Sequence, residues 1–466
     1  MNYSEKISSL LEKGILVGPE FLQKKIEADE PNSNILSNDK IILKNSSKVK
    51  VVCSYDRPPK KRIITDFVNL FNIRFKAIEK IVQARPEMQG LISINKLKLK
   101  SEKESVSIIG MVKDKKVTKN NNIILTLEDL TGETKVLVHQ NNKDFFDIGK
   151  DVVLDEVMGV VGSLGKDIVF ANSLVFPDIP LNKELKKSPV EEYAVFISDM
   201  HLGSKVFLKK EFEKLIAWLN GTIGTEEQKN MAKKTKYIFL TGDLVEGVGV
   251  YPGQEEDLEI TDIKEQYIVL ANHLKKISPD KKLIICPGNH DAGRIAEPQP
   301  PMYNDFAEAI WQLPNAIIVS NPAMVNIGSS KEFSGLDVLM YHGYSLIYYS
   351  NNVESIRIAG GQKRADLIMK FLLQKRHLAP THESNMYIPD AELDSLLISK
   401  VPDLFVTGHI HRATIASYRN VTLMNTSCWG DITEDQEKRG LEPQPARAFV
   451  LNLQSRKVKL INFYGH

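Results

Sequence analysis

Residues 237–243 read Tyr237-Ile238-Phe239-Leu240-Thr241-Gly242-Asp243. Four apolar residues run straight into a threonine, a glycine and a carboxylate. So short an unbroken apolar run, closed by a glycine, reads as a strand buried on both faces. Runs of the same kind lie at 195–198 and 283–286. Helical stretches at about 209–220 and 261–277 separate them. This alternation predicts an α/β sheet. Further strands are expected around 317, 325, 338, 404, 415, 423, 449 and 459. They come with fewer helices, which points to a second, mixed sheet.

Five short motifs follow predicted strands in chain order. They are Asp199-Met200-His201, Gly242-Asp243, Gly288-Asn289-His290-Asp291, Tyr341-His342-Gly343 and Gly408-His409-Ile410-His411. Loops at the carboxyl ends of strands are where α/β sheets build their sites. Singly, Asp-x-His or Gly-Asp means little. The ordered set is hard to obtain by chance, and it holds five of the ten histidines. The donors are imidazole nitrogens, carboxylates and one amide, with no cysteine. Such a set suits Mn, Fe or Zn. Two ions about 3.5–4 Å apart can clamp both oxygens of a phosphodiester displacement. A carboxylate shared between them must sit at a rigid strand end, and Asp243 is the candidate, with Gly242 giving the backbone room. A histidine nearby but off the metal can protonate the leaving oxygen.

The rest of the 466 residues sets the context. At roughly 100–200 residues per domain, two to four domains are expected. Hydrophobic residues are 42% and charged residues 26%, which excludes wholesale disorder. The net charge of +2 hides an asymmetry: residues 40–125 carry 20 Lys/Arg against 7 Asp/Glu, a local +13. Three scattered cysteines (Cys53, Cys286 and Cys428) are too few for a disulfide framework and point to a reducing cytosol. No apolar stretch reaches membrane-spanning length, and residues 1–6 lack a signal-peptide core. A cytoplasmic protein is expected. Residues 1–35 read as a small helical docking module. A helix is expected at 64–83, and β-rich runs at 106–112, 123–127, 134–138, 151–161 and 168–175. Five strands in about 70 residues fit an OB-type barrel. The domains are therefore 1–35, 40–180 for the barrel, and 192–466 for the part carrying the motifs. Cys286 and Cys428 are expected to be buried.

The five motifs resemble those of the calcineurin-like metallophosphoesterases. Within that superfamily the chain is more similar to the small, proofreading subunits of archaeal family-D DNA polymerases. The segments that carry this are Gln83-Ala84-Arg85-Pro86-Glu87-Met88, Leu127-Glu128-Asp129-Leu130-Thr131-Gly132, residues 242–253 (Gly242-Asp243-Leu244 through Tyr251-Pro252-Gly253) and Arg376-His377-Leu378-Ala379-Pro380. The resemblance covers about residues 40–466. It implies an OB-fold barrel followed by a phosphoesterase domain of two packed mixed sheets flanked by helices. It implies 3′→5′ exonuclease activity on single-stranded or mismatched DNA ends. One ion would take Asp199, His201, Asp243 and His411, and the other Asp243, Asn289, His342 and His409. Mn²⁺ is the first expectation, with Zn²⁺, Fe²⁺ or Mg²⁺ as alternatives. His290 would stabilise the transition state or protonate the departing 3′-oxygen, and Asp291 would orient it. The partner would be a large polymerising subunit in a heterodimer, with a sliding clamp as a further candidate. Repair nucleases of the superfamily carry a second histidine three residues after the Gly-Asp aspartate. Here that position is Glu246.

Two other classes compete. One is a non-catalytic scaffold that bridges a polymerase to partners, against which the complete ligand set counts. The other is a different metallophosphoesterase. A Ser/Thr phosphatase is disfavoured by Glu246-Gly247 and Asp291; a cyclic-nucleotide phosphodiesterase leaves the barrel unexplained. The basic stretch serves DNA contact or simple solvation equally. In the helical stretch 362–376, apolar Leu367, Ile368, Phe371 and Leu372 are expected to pack on the core, while Lys363, Arg364, Lys370 and Arg376 could steer phosphates.

Overall fold

The computed structural model describes residues 49–438, 440 and 442–465. The helical module expected at 1–35 lies outside them. In chain order the strands are β1 (Val49–Ser54), β2 (Ser105–Val117), β3 (Ile123–Asp129), β4 (Gly132–Val138), β5 (Val157–Leu164), β6 (Ile168–Val175), β7 (Tyr193–Ile197), β8 (Thr235–Thr241) and β9 (Lys282–Cys286). There follow β10 (Ala316–Ile318), β11 (Ala323–Ile327), β12 (Leu336–Met340), β13 (Leu404–Thr407), β14 (Thr414–Tyr418), β15 (Val421–Asn425), β16 (Arg447–Asn452) and β17 (Val458–Asn462).

Strands β7, β8 and β9 pair in parallel at the centre of a six-stranded sheet ordered β10-β9-β8-β7-β16-β17. Their side chains alternate between two cores. Val195, Ile197, Ile238, Leu240, Leu283 and Ile285 face helices Lys209–Leu219 and Ile263–Leu274. Ala194, Phe196, Tyr237, Phe239, Ile284 and Cys286 face the second sheet. Burial on both faces is why these strands read as continuous apolar runs. The second sheet, β1-β11-β12-β13-β15-β14, is mixed as expected and supplies Val325, Val338, Leu404, Val406 and Met424 to the shared core. Its far face carries helix Ala365–Lys375, with Ile368, Phe371 and Leu372 buried against Phe405 and Leu423. Cys286 and Cys428 are buried.

The β-rich stretch closes into a five-stranded barrel, β2-β3-β4-β6-β5, around its own core. Four strands fall where the sequence put them. The fourth barrel strand begins at Val157 rather than 151, because helix Lys143–Lys150 and a turn occupy the preceding residues. Strand β1 falls inside the 40–180 range, yet it pairs antiparallel with β11 of the second sheet. Helix Ile64–Gln83 then packs Phe75, Ile78 and Val82 on the barrel's outer wall. The barrel is pinned to the sheets by buried polar contacts. Lys375 of the far-face helix meets Glu156 at 2.5 Å, and Arg74 meets Asp394 at 2.8 Å. No described helix is long and apolar enough to cross a membrane.

Candidate metal centre

The parallel pairing of β7 with β8 continues past the strand ends. Asp199 N donates to Gly242 O at 2.9 Å, and His201 N to Asp243 O at 3.1 Å. On the second sheet Tyr341 N donates to Val406 O at 3.0 Å, and Gly408 N to His342 O at 2.8 Å. These bonds line up the motifs of neighbouring strands. All five motifs therefore meet at the carboxyl ends of β7, β8, β9, β12 and β13.

The glycines allow the closeness. A Cβ at Gly242, where φ is +83°, would stand 2.4 Å from His342 Nδ1. A Cβ at Gly288 would stand 2.3 Å from Asp243 Oδ1. The expectation that Gly242 gives Asp243 room is met in this way. Five donors, Asp199, His201, Asp243, His409 and His411, have φ between 48° and 69°. Left-handed backbone costs a non-glycine residue on the order of 1–3 kcal/mol. The loop ladders and the buried strand ends hold it in place.

The donors converge in two sets joined through Asp243, and His290 forms a third group with His201 and Asp243. In the first, His411 Nε2 lies 3.3 Å from Asp199 Oδ1 and 3.0 Å from His201 Nε2, which is 3.8 Å from Asp243 Oδ2. In the second, His342 Nε2 lies 3.2 Å from Asp243 Oδ2 and 3.0 Å from Asn289 Oδ1. His409 joins Asp243 and His342, all three offering atoms within 4.8 Å of one another. All seven expected ligands are thus brought together. His290 stands beside them, its ring 4.7 Å from that of His201.

Outer partners aim the rings. His342 Nδ1 donates to Thr241 O at 2.9 Å, and His290 Nδ1 to Glu246 O at 2.8 Å. His201 Nδ1 donates to the Glu246 carboxylate at 2.8 Å. With Nδ1–H committed to an acceptor, neutral rings turn their Nε2 lone pairs into the cluster. The electrostatics demand positive charge there. Burial opposes protonation of His342 and His201, yet Asp243 beside the first and Glu246 beside the second outweigh it, raising them to about 10 and about 9. Burial works against the Asp243 carboxylate too, but His342 and His290 hold it well below the usual range. Lone pairs and carboxylates focused on common points fit divalent cations.

Two residues differ from their expected parts. Asp291 does not reach the His290 side chain. Its oxygens accept from Gly288 N at 2.8 Å, Leu244 N at 3.2 Å and Tyr267 Oη at 3.1 Å. It ties the Asp243 loop to the Asn289 loop, and burial next to Asp243 raises it to about 7. His290 is instead oriented by the Glu246 carbonyl. Glu246, left without a role by the sequence, grips His201. Its place three residues after Asp243 was the available signal. The Thr241 carbonyl had none, since every residue has one. Of the remaining described histidines, His377 is buried against Asp394 at 2.9 Å, and His273 packs on Phe212.

Comparison with known proteins shows what the chain is similar to. A family model for the B-type subunits of DNA polymerases alpha and epsilon matches residues 194–416. The DNA polymerase II small subunit of Methanothermobacter thermautotrophicus is 38% identical over 389 residues, 84% of this chain and 78% of that protein. That of Pyrococcus furiosus is 39% identical over 408 residues, 86% of this chain but 64% of that protein. That of Thermoplasma acidophilum is 33% identical over 468 residues, covering 97% and 91%.

Proposed function

Because the chain belongs to the family of archaeal DNA polymerase II small subunits, we propose that it is the proofreading component of such a polymerase. Its activity in this reading is 3′→5′ exonuclease on single-stranded or mispaired DNA ends, and its fold is a metallophosphoesterase with an OB-type barrel. The observation that carries this is the convergence of Asp199, His201, Asp243, His290, His342, His409 and His411 in overlapping donor groups, with Asn289 against His342. A scaffold has no use for buried, strained, lone-pair-only convergence, which is costly to maintain.

Asp199, His201, Asp243 and His411 would hold one divalent ion, and Asp243, Asn289, His342 and His409 the other. When bound, such a pair clamps the oxygens of the diester and makes a water acidic enough to attack. Asp243 and Asn289 are fixed by the loop ties through Asp291, so their geometry is set before substrate arrives. His290 has Nδ1 committed to the Glu246 carbonyl, which leaves Nε2 for the substrate. Burial lowers the ring below its usual value and keeps it neutral, so Nε2 first takes a proton from the attacking water and then passes it to the departing 3′-oxygen. Synthesis falls to a large subunit, in keeping with the relatives' designation as small subunits, and the two would form a heterodimer.

A 5′-labelled single strand incubated with the purified chain tests the proposal. With Mn²⁺, the label should move into a ladder that shortens from the 3′ end, and chelator should abolish it. His290→Ala should slow cleavage by about 10²–10⁴-fold. Label released at once as short product, or a ladder indifferent to chelator, would refute the reading.

A further inference from the structure

His409 and His411 of the donor cluster line a cavity of about 220 Å³. They form one wall, and Lys363, Arg412, Gln436 and Glu442 stand at its rim. Glu442 occupies both cations: Lys363 Nζ donates to Oε1 at 2.8 Å, and Arg412 Nη1 to Oε2 at 3.2 Å. We propose that Lys363 and Arg412 form a subsite for a backbone phosphate of the strand entering the metal centre, and that the Glu442 carboxylate holds this place until the strand displaces it.

Four observations carry the assignment. First, the cations grip different oxygens of one carboxylate, and the two non-bridging oxygens of a phosphodiester offer the same kind of fork. Second, Arg412 directly follows His411, and both line the cavity. Third, two cations against one carboxylate leave the rim at +1, which attracts a polyanion. Fourth, the clasp is weak. Lys363 and Glu442 side chains are 53% and 60% exposed, and ion pairs so exposed are screened and easily exchanged. The other cations of this stretch are committed elsewhere. Arg364 is forked onto Asp366, Lys370 lies over the Tyr418 ring, and Arg376 is buried on the carbonyls of Ile398 and Ser399.

The subsite rests on the nuclease reading for its purpose but is tested by binding alone. The probe is a fluorescent oligothymidylate, titrated with the full chain in chelator and followed by anisotropy. Lys363→Ala and Arg412→Ala should each weaken binding about tenfold and flatten the salt dependence by roughly 0.7 per cation removed. Glu442→Gln should tighten binding about threefold, an outcome that a misfolded variant cannot produce. Affinities within twofold of the parent for all three, or no binding by the parent, would overturn the subsite. The predicted pattern in a chain that hydrolyses nothing with any metal would leave the subsite standing and remove the nuclease. Hydrolysis by the parent with all three variants unchanged in affinity would do the reverse.

Discussion

At the scale of single residues, Glu246 shows how one side chain serves two histidines. Its carboxylate takes His201 Nδ1–H, and its backbone carbonyl takes His290 Nδ1–H. A carboxylate behind a ligating imidazole fixes the tautomer and strengthens the ligand. Glu246→Gln keeps an acceptor for His201 but loses the charge. Mn²⁺ affinity should then fall about tenfold or more, read by calorimetric titration. Unchanged affinity would reduce Glu246 to packing.

At the scale of elements, the site was legible wherever a strand end fed a motif. The runs before Asp199, Asp243 and Asn289 are buried on both faces, so their apolar character is uninterrupted and their ends are sharp. Strand β1 was not legible as part of the second sheet. Its Val49 and Val51 look the same whether they pair with β11 or with a barrel strand, and sequence distance conceals a partner some 270 residues on. The same distance hides the Arg74–Asp394–His377 cluster, which ties helix Ile64–Gln83 to the segment after Pro380. Burial works against the Asp394 carboxylate, but His377 and Arg74 outweigh it and hold it far below the usual range. A lowered carboxylate contributes stability that is fully present above the unfolded value of about 3.9 and is lost as pH falls below it. Asp394→Asn strands a buried guanidinium, so it should cost about 3–5 kcal/mol at neutral pH. That deficit should shrink as pH drops below about 4. Chemical denaturation at pH 7 and pH 3 checks both statements. An equal deficit at the two values would deny the ion pair its role.

At the scale of the whole molecule, two parallel strand groups, one in each sheet, aim their carboxyl ends at one edge of the sandwich. The donor positions stood out in the sequence because four of the five motifs pair a glycine with a donor. Their division into two sets around Asp243 was inferred by resemblance; the donor geometry also groups His290 with His201 and Asp243. The basic stretch was harder to read. Some of its charge is already paired: Arg74 is buried against Asp394, Arg57 holds Asp390, and Lys113 holds Glu133. Composition records charge without recording its partners. Lys363 and Arg412, which line the cavity beside His409 and His411, lie outside that stretch. The central claim is that one aspartate serves two metal positions, and the most direct measurement is the number of Mn²⁺ ions bound per chain by the parent and by Asp243→Asn. Two ions in the parent, with loss at both positions in the variant, is the predicted result. Two ions retained in the variant, or none in the parent, would contradict it.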